Sequence, residues 1–308
     1  MKAKITRRHF LKTTAISPAA IAAVNLLRPA SAAAANTIQR TGKPRFPISL
    51  AAYSFRDYFN SKDAAKKISM FDFIDYCANQ GCQGAELTSY YFPAKVEQDF
   101  LIQVKRHAFL RGIDISGSAV GNNFALPKGE KRDQQIAMVK QWIDYSAIMG
   151  APHIRVFAGS QGTMDANQAK KLCISGLEEC CEYAGTKGIF LGLENHHGVV
   201  TEPDEMVEII RAVKSPWFGV NLDTGNFQTD DPYADLAKIA PWAVNVQIKV
   251  EVKRRGASKA EPSDYHKIAK LLREVNYQGY IALEYEAKED PYKAIPGALL
   301  QIKAALQG

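Results

Sequence analysis

The stretch TKGIFLGLENHHG, from Thr186 to Gly198, runs from the end of one predicted helix through a strand to a polar strand end. A glycine follows the helix, where a left-handed cap turns the chain back. The run IFLGLE is short, apolar and rich in residues that favour strands. The strand then stops at the carboxylate of Glu194, and an asparagine and two histidines follow. Such a cluster either caps a strand end facing water or builds a site.

The same unit of a short strand and a longer amphipathic helix recurs along the chain. The eight predicted strands begin at Ile48, Gly84, Asp114, His153, Ile189, Phe218, Val244 and Tyr280. This alternation, without a glycine-rich dinucleotide fingerprint, favours a closed parallel barrel over a doubly wound sheet. We therefore predict an α/β fold, a single-domain (β/α)8 TIM barrel over residues 46–308. In such a barrel the reacting groups gather where the strands end.

The first 35 residues differ from the rest in charge and composition. They hold six basic residues and no acid, so that only +1 of the formal charge of +7 belongs to the remainder. The segment TRRHFLK, from Thr6, precedes a weakly apolar run and a small-residue ASA pattern, which resembles a twin-arginine export signal. This predicts a periplasmic or extracellular protein with no stable membrane anchor after cleavage, and residues 36–45 as a connector. An anchor helix would need about 20 apolar residues, and polar residues interrupt this run.

The small remaining charge argues against nucleic-acid binding, and the cysteine spacing argues against a metal site built from cysteines. A net charge near zero gives no basic surface for nucleic acid. The five cysteines are Cys77, Cys82, Cys173, Cys180 and Cys181. Their number is odd and their spacing is not that of a metal site, so we interpret them as packing residues.

Four consecutive predicted strands end on side chains that carry oxygen. These are Glu194, Asp223, Gln247 and Glu284. Three carboxylates that meet at one point raise one another's pKa unless a cation holds them, and a divalent metal ion would do so. Oxygen donors favour a hard ion, which predicts Mn²⁺, with Mg²⁺, Co²⁺ or Zn²⁺ as alternatives. Taken singly, a carboxylate after an apolar strand is more often a solvated cap or a helix N-cap, and the run DTGN can be an Asx-turn.

The motifs LGLENHH, NLDTGNF and ALEYE resemble those of the xylose isomerase-like barrel family of sugar isomerases and epimerases. The resemblance extends from about Phe46 to Gln307. It implies one divalent ion held by Glu194, Asp223 and Glu284 together with a fourth ligand on the seventh strand. The family's histidine of an H-x-K pattern is replaced there by Gln247. A second departure is Asn226, where many relatives have histidine.

The resemblance also implies a reaction on a small carbohydrate. A metal ion that chelates a carbonyl and the adjacent hydroxyl makes the intervening C–H acidic and stabilises the enediolate. Glu194 and Glu284 then serve as the acid and base of an isomerase or epimerase. The same enediolate can expel a β-substituent, which would make the protein a 3-keto-glycoside lyase or hydrolase. A sugar-binding barrel without turnover is a second alternative, and the oligomeric state stays open, a homo-oligomer included.

Further polar residues near the predicted strand ends are candidates for substrate binding. They are His196, His197, Lys249, Asn226, Arg155, Glu86 and Asn123. Lys249 matches the family's seventh-strand lysine and would hold a substrate oxygen. The alternatives are histidines bonded to backbone, a buried Arg155–Glu86 pair that fills the barrel end, and a turn at Asn123. Several aromatic residues, Tyr53 and Tyr90 among them, either form a wall for the sugar or belong to the core.

Overall fold

The computed structural model describes residues 37–160 and 162–307. The predicted export signal and the first residue of the connector lie outside the described residues, so localisation stays a prediction. Among the described helices, none is long and apolar enough to cross a membrane.

Eight parallel strands close into a barrel, as predicted. They are β1 Ile48–Ala51, β2 Gly84–Thr88, β3 Asp114–Ala119, β4 His153–Val156, β5 Phe190–Glu194, β6 Phe218–Asp223, β7 Ala243–Ile248 and β8 Ile281–Leu283. Each strand pairs with the next, and β1 closes the ring on β8 through the pair Ile48 and Ile281. Nearly every strand residue is buried, as expected for a parallel sheet covered by helices.

One longer helix follows each strand. These are α1 Met70–Asn79, α2 Gln98–Leu110, α3 Glu130–Met149, α4 Ala166–Lys187, α5 Pro203–Ala212, α6 Pro232–Ile239, α7 Tyr265–Glu274 and α8 Pro291–Gln307. Side chains cap several N-termini, for example Asp165 and Asp264, which accept backbone N–H donors of the first turns. Gly150 and Gly188 end α3 and α4 in the left-handed conformation, which confirms the predicted glycine caps.

The strand ends differ in detail from the prediction. The first strand, which the sequence predicts over ISLAAYSF from Ile48 to Phe55, stops at Ala51, and a 3-10 turn over Ala52–Phe55 follows. A small antiparallel hairpin, Glu251–Val252 with Glu261–Pro262, stands in the loop after β7 and was not predicted. All five cysteines are free and buried, which agrees with their interpretation as packing residues.

Gly117 on β3 is required by the packing of the barrel interior. A Cβ at this position would lie 2.1 Å from the His153 ring, which is itself buried. We therefore expect Gly117→Ala to lower the free energy of unfolding by about 2–3 kcal/mol, since an overpacked core must shift. Urea denaturation measures this loss. Gly297→Ala is the control, because Gly297 lies exposed in α8 with nothing near its Cβ, and it should raise stability by roughly 0.5–1 kcal/mol. Equal changes in the free energy of unfolding for the two variants would contradict the close packing of Gly117 against His153.

Candidate active site

A cavity of about 250 Å³ opens where the strands end, at the carboxyl-terminal mouth of the barrel. Its lining residues are Tyr53, Tyr90, Arg155, Phe157, Glu194, His196, Asn226, Lys249, Glu284 and Glu286. Larger surface depressions exist elsewhere on the described structure, but this one collects charged side chains from four strand ends. The mouth cavity is therefore the candidate active site.

Glu194, the last residue of β5, is buried and bound on both oxygens. Arg155 of β4 lies with its Nε 2.8 Å from Oε2, and the side-chain amide of Asn226 donates to Oε1 at 2.8 Å. Arg155 also donates to the Val120 carbonyl at 2.8 Å, so its position is fixed. The guanidinium lies over the Phe157 ring at 4.0 Å, which covers its upper face. This is the buried arginine pair considered from the sequence, but its partner is Glu194 and not Glu86.

Lys249, which follows β7, is the second buried cation of the mouth. Its ammonium lies 2.5 Å from Oε2 of Glu284 and 3.2 Å from Oδ2 of Asp223, and it also contacts Glu286. Only 8% of the lysine side chain is exposed. Its backbone N–H donates to the hydroxyl of Thr224 at 2.9 Å, which ties the end of β7 to the end of β6. One ammonium thus holds three carboxylates together.

Asp223 is held by Asn195, the asparagine that follows Glu194. The amide of Asn195 donates to the Asp223 carbonyl and accepts from the Asp223 N–H, both at 2.9 Å. Oδ1 of Asp223 accepts the Gly225 N–H at 2.8 Å, which is the Asx-turn considered for DTGN. The polar run after β5 therefore joins two neighbouring strand ends.

Burial is the largest influence on the carboxyl groups. It raises the pKa of Glu284 to about 7, against the opposing charge of Lys249. It also raises the pKa of Glu194 well above its usual value, with Arg155 opposing, and raises the pKa of Asp223. Four carboxyl groups face two cations here, and burial together with this excess of carboxyl groups favours their protonated forms. Buried carboxyl groups with raised pKa values suit acid–base chemistry.

Gln247 does not point into the mouth, contrary to the prediction that it binds a metal ion there. Its amide oxygen accepts from Asn221 at 2.6 Å, and its amide nitrogen donates to Glu86 at 2.6 Å. Asn245 completes a closed ring by donating to Glu86 and to Asn221, each at 2.7 Å. Glu86 is fully buried in this ring and does not line the mouth cavity, where the sequence predicts that it contacts substrate. Glu86 accepts two amide donors, and a third amide donor, that of Asn221, bonds to Gln247. This closed ring of hydrogen bonds forms a structural layer beneath the cavity.

The four predicted ligands do not fit a single divalent ion. The oxygens of Glu194, Asp223 and Gln247 all have donors or cations of the protein as partners, and Glu284 shares Lys249 with Asp223. Within residues 37–160 and 162–307, no three His, Cys, Asp or Glu side chains are arranged to hold a metal ion. The carboxylates do gather as predicted, but two protein cations stand among them.

The remaining predicted substrate residues fall into two groups. His196 lines the cavity beside Phe157, and burial lowers its pKa to about 3, with His197 and Arg155 adding to the effect, so the ring is neutral. His197 is exposed and touches the cavity only through His196. Asn123 does not line the mouth, because its side chain accepts the Ala125 N–H in a local turn.

The basic run KRRG, Lys253 to Gly256, follows β7 and from the sequence is either a phosphate grip or a solvated loop; its arginines pair with neighbouring acids. Arg254 lies 2.9 Å from Glu261 and Arg255 lies 2.8 Å from Glu202. Both are partly exposed, which supports a solvated loop over a phosphate site.

Two residues of the mouth were absent from the predicted site. Glu286 contacts Lys249 and is 40% exposed at the rim, and Phe157 covers Arg155 and His196. Each follows a predicted site residue by two positions, Glu284 and Arg155 respectively. Side chains two apart in a strand point to the same side, and this period could have identified both.

Comparison with solved structures shows the same fold in two sugar epimerases and in a further xylose isomerase-like barrel protein. A D-psicose 3-epimerase with D-tagatose from Clostridium cellulolyticum H10 has a TM-score of 0.69 and 14% identity, covering 85% of this chain and 99% of its own. The 3-keto-D-glucoside 4-epimerase of E. coli, in its apo form, has a TM-score of 0.64 and 16% identity, covering 84% and 100%. A xylose isomerase-like TIM barrel protein from Mycobacterium smegmatis, in complex with magnesium, has a TM-score of 0.66 and 20% identity, covering 85% and 98%.

At these identities the structural neighbours show the fold alone. A comparison with curated protein sequences finds no match. The model of a protein family, described as the xylose isomerase-like TIM barrel, matches residues 74–303. This match covers most of the barrel and includes all four predicted strand-end residues, so the chain belongs to the xylose isomerase-like TIM barrel family.

Proposed function

We propose that the chain is a sugar isomerase or epimerase that takes a proton from the carbon next to a carbohydrate carbonyl. The observation that carries the proposal is the pair Glu194 and Glu284, two buried carboxyl groups of raised pKa that line one small cavity. Such a pair can take a proton on one face of a substrate carbon and return it on the other. The epimerases among the structural neighbours support the choice of substrate class.

The cavity fits a compact polar substrate. Its volume of about 250 Å³ is below the usual range for drug-sized ligands, as expected for a single sugar ring. Tyr53 and Tyr90 meet edge to face at its rim, which gives an apolar surface for one face of the ring. The neutral ring of His196 and the amide of Asn226 supply neutral hydrogen-bond partners for hydroxyl groups.

Each glutamate has a distinct role in this proposal. Glu284 accepts the proton, because its pKa of about 7 keeps much of it ionised near neutral pH while leaving it basic enough. The C–H electrons then form a C=C bond, and the carbonyl oxygen becomes an enediolate oxygen. Glu194, whose pKa lies well above its usual value, delivers a proton to complete the reaction.

A manganese ion, predicted from the ligand types, is not part of this proposal. The donor atoms that would hold it are paired with Lys249 and Arg155. The export signal is retained as a proposal of its own. An exported enzyme would meet an unphosphorylated sugar, an oxidised sugar or a glycoside.

Product analysis tests the function. Purified protein is incubated separately with D-fructose, D-psicose and a 3-keto-D-glucoside, and the products are separated by chromatography. Formation of an epimer or isomer of any of them supports the proposal. Release of the aglycone from the 3-keto-D-glucoside identifies a lyase or hydrolase instead. Saturable binding without any product identifies a sugar-binding barrel and overturns the proposal.

A further inference from the structure

We infer that the ammonium group of Lys249 is the resident cation of this barrel mouth, occupying the electrostatic place of a divalent ion and binding the substrate's carbonyl oxygen. The inference deepens the proposed function and rests on it for the identity of the bound oxygen. According to this inference, the carboxylates of the mouth come together without a metal ion.

The position of the ammonium carries the first step. Lys249 follows β7 and meets Asp223 at the end of β6 and Glu284 just after β8. Asp223 and Glu284 are two of the residues that the sequence predicts as ligands of a metal ion. The lysine is 7% exposed, so its charge lies inside the group and not above it. Burial opposes this charge, but the surrounding carboxylates more than offset it and raise the pKa of Lys249 well above its usual value.

Arg155 is the second buried cation and lies beside Glu194, the third predicted carboxylate ligand. Arg155 lies 2.8 Å from Oε2 of Glu194, and Asn226 occupies Oε1. A divalent ion that took Glu194 as a ligand would have to share an oxygen with one of these partners. It would also stand beside two fixed positive charges in a low-dielectric site, where repulsion between like charges is strong.

Substrate reaches the ammonium by replacing Glu286. The lysine ammonium donates hydrogen bonds to Glu284 and Glu286, while Oδ2 of Asp223 lies 3.2 Å away as an ion-pair partner that accepts no hydrogen bond from the described residues. Glu286 is the only one of these three with substantial exposure, 40% of its side chain against 7% or less. A carbonyl oxygen entering from the cavity therefore displaces Glu286 into solvent and takes its donor.

The exchange places the carbonyl next to the base. Glu284 lies 2.5 Å from the same ammonium, so a substrate bound there has its adjacent carbon within reach of the carboxylate. The proton passes from carbon to Glu284, the C–H electrons form the C=C bond, and the carbonyl π electrons move to oxygen. The ammonium holds the negative charge that develops, and no oxidant or further reactant is needed. A protonated lysine is not a nucleophile, which excludes a Schiff base as the resting route.

Metal analysis and metal-dependent melting test the inference without an activity assay. Wild-type protein purified without chelator should contain less than about 0.1 divalent ion per chain, and EDTA should leave its melting temperature unchanged. Lys249→Ala removes the ammonium and frees Asp223, Glu284 and Glu286. About 1 mM MnCl₂ should then raise the melting temperature of the variant by roughly 3 °C or more, and that of wild type by less than about 1 °C.

Lys238→Ala is the matched control, since Lys238 also pairs with two acids, Asp204 and Asp235, but on the outer surface. Its melting temperature should not respond to MnCl₂. Lys249→Met, in which the hydrocarbon stem is kept, serves if the alanine variant does not fold. Close to one divalent ion per wild-type chain, or a wild-type melting temperature that falls with EDTA and recovers with MnCl₂, would overturn the inference.

An activity arm separates this inference from the proposed function. If the protein converts a sugar, EDTA should leave its rate unchanged and Lys249→Met should lower it about a hundredfold or more, as for loss of an oxyanion partner. Loss of wild-type activity in EDTA, restored by MnCl₂, would contradict the inference while leaving the proposed function intact. Absence of turnover by wild type on every sugar would defeat the proposed function, and the metal content and melting arms would still decide whether Lys249 is the resident cation.

Discussion

Glu284→Gln is expected to lower kcat/KM for sugar conversion roughly a thousandfold. The amide cannot accept the proton, and a positioned general base contributes about 10²–10⁴ to the rate. The change keeps the shape of the side chain, and Lys249 keeps Asp223 and Glu286 as partners, so the barrel should remain folded. Initial rates on the substrate found by product analysis measure the effect, with circular dichroism as the check on folding.

Glu289→Gln is the control for this change, because Glu289 lies exposed five positions further along the same loop and does not line the cavity. It should retain the wild-type rate. A folded Glu284→Gln variant that keeps a tenth or more of the wild-type rate would remove Glu284 from its role as base.

Arg155→Met is expected to destabilise the barrel by about 3–5 kcal/mol at a pH high enough to ionise Glu194, because the carboxylate then lies buried without its ionic partner. Both side chains of the pair are only 4% exposed, so solvent cannot take over the lost interaction. The Val120 carbonyl also loses its donor. Chemical denaturation monitored by tryptophan fluorescence measures the loss.

The double variant Arg155→Met, Glu194→Gln separates the charge effect from the packing effect. With both charges removed, the free energy of unfolding should recover by roughly 2 kcal/mol or more relative to Arg155→Met alone, since breaking a buried pair costs more than replacing it. A loss below about 1 kcal/mol for Arg155→Met would show that the pair is not buried in solution.

The barrel was predictable because strand and helix periods alternate eight times along the chain. Local signals such as the glycines after α3 and α4 and the apolar run of β5 state the order of elements, and a closed parallel sheet is the one architecture that uses all of them. The length of the eighth strand and the hairpin after β7 depend on pairing between distant segments, which leaves little trace in the sequence.

The candidate site was predictable in part. The sequence argument required a cation among Glu194, Asp223 and Glu284, and the structure places two cations there, Arg155 and Lys249. Which inward-pointing side chains meet depends on the strand register, and no local pattern reveals it.

Gln247 shows the effect of register most clearly. It pairs with Asp223 on one side and with Ala282, two positions before Glu284, on the other. Its side chain therefore reaches the ring around Glu86, and Lys249, two positions further along, reaches the carboxylates at the mouth. The comparison with the family's H-x-K pattern pointed to the departure at Gln247. The positive charge at the mouth is on Lys249, the lysine of the same pattern.

Deuterium exchange in D₂O tests the central claim most directly, that this mouth moves a proton next to a sugar carbonyl. Wild-type protein, incubated with the keto-sugar that it converts, is followed by proton NMR for loss of the signal at the carbon beside the carbonyl. The account predicts exchange at that carbon alone, lost in Glu284→Gln and unchanged by EDTA. Conversion of the sugar with no deuterium at that carbon, in both product and recovered substrate, would contradict it.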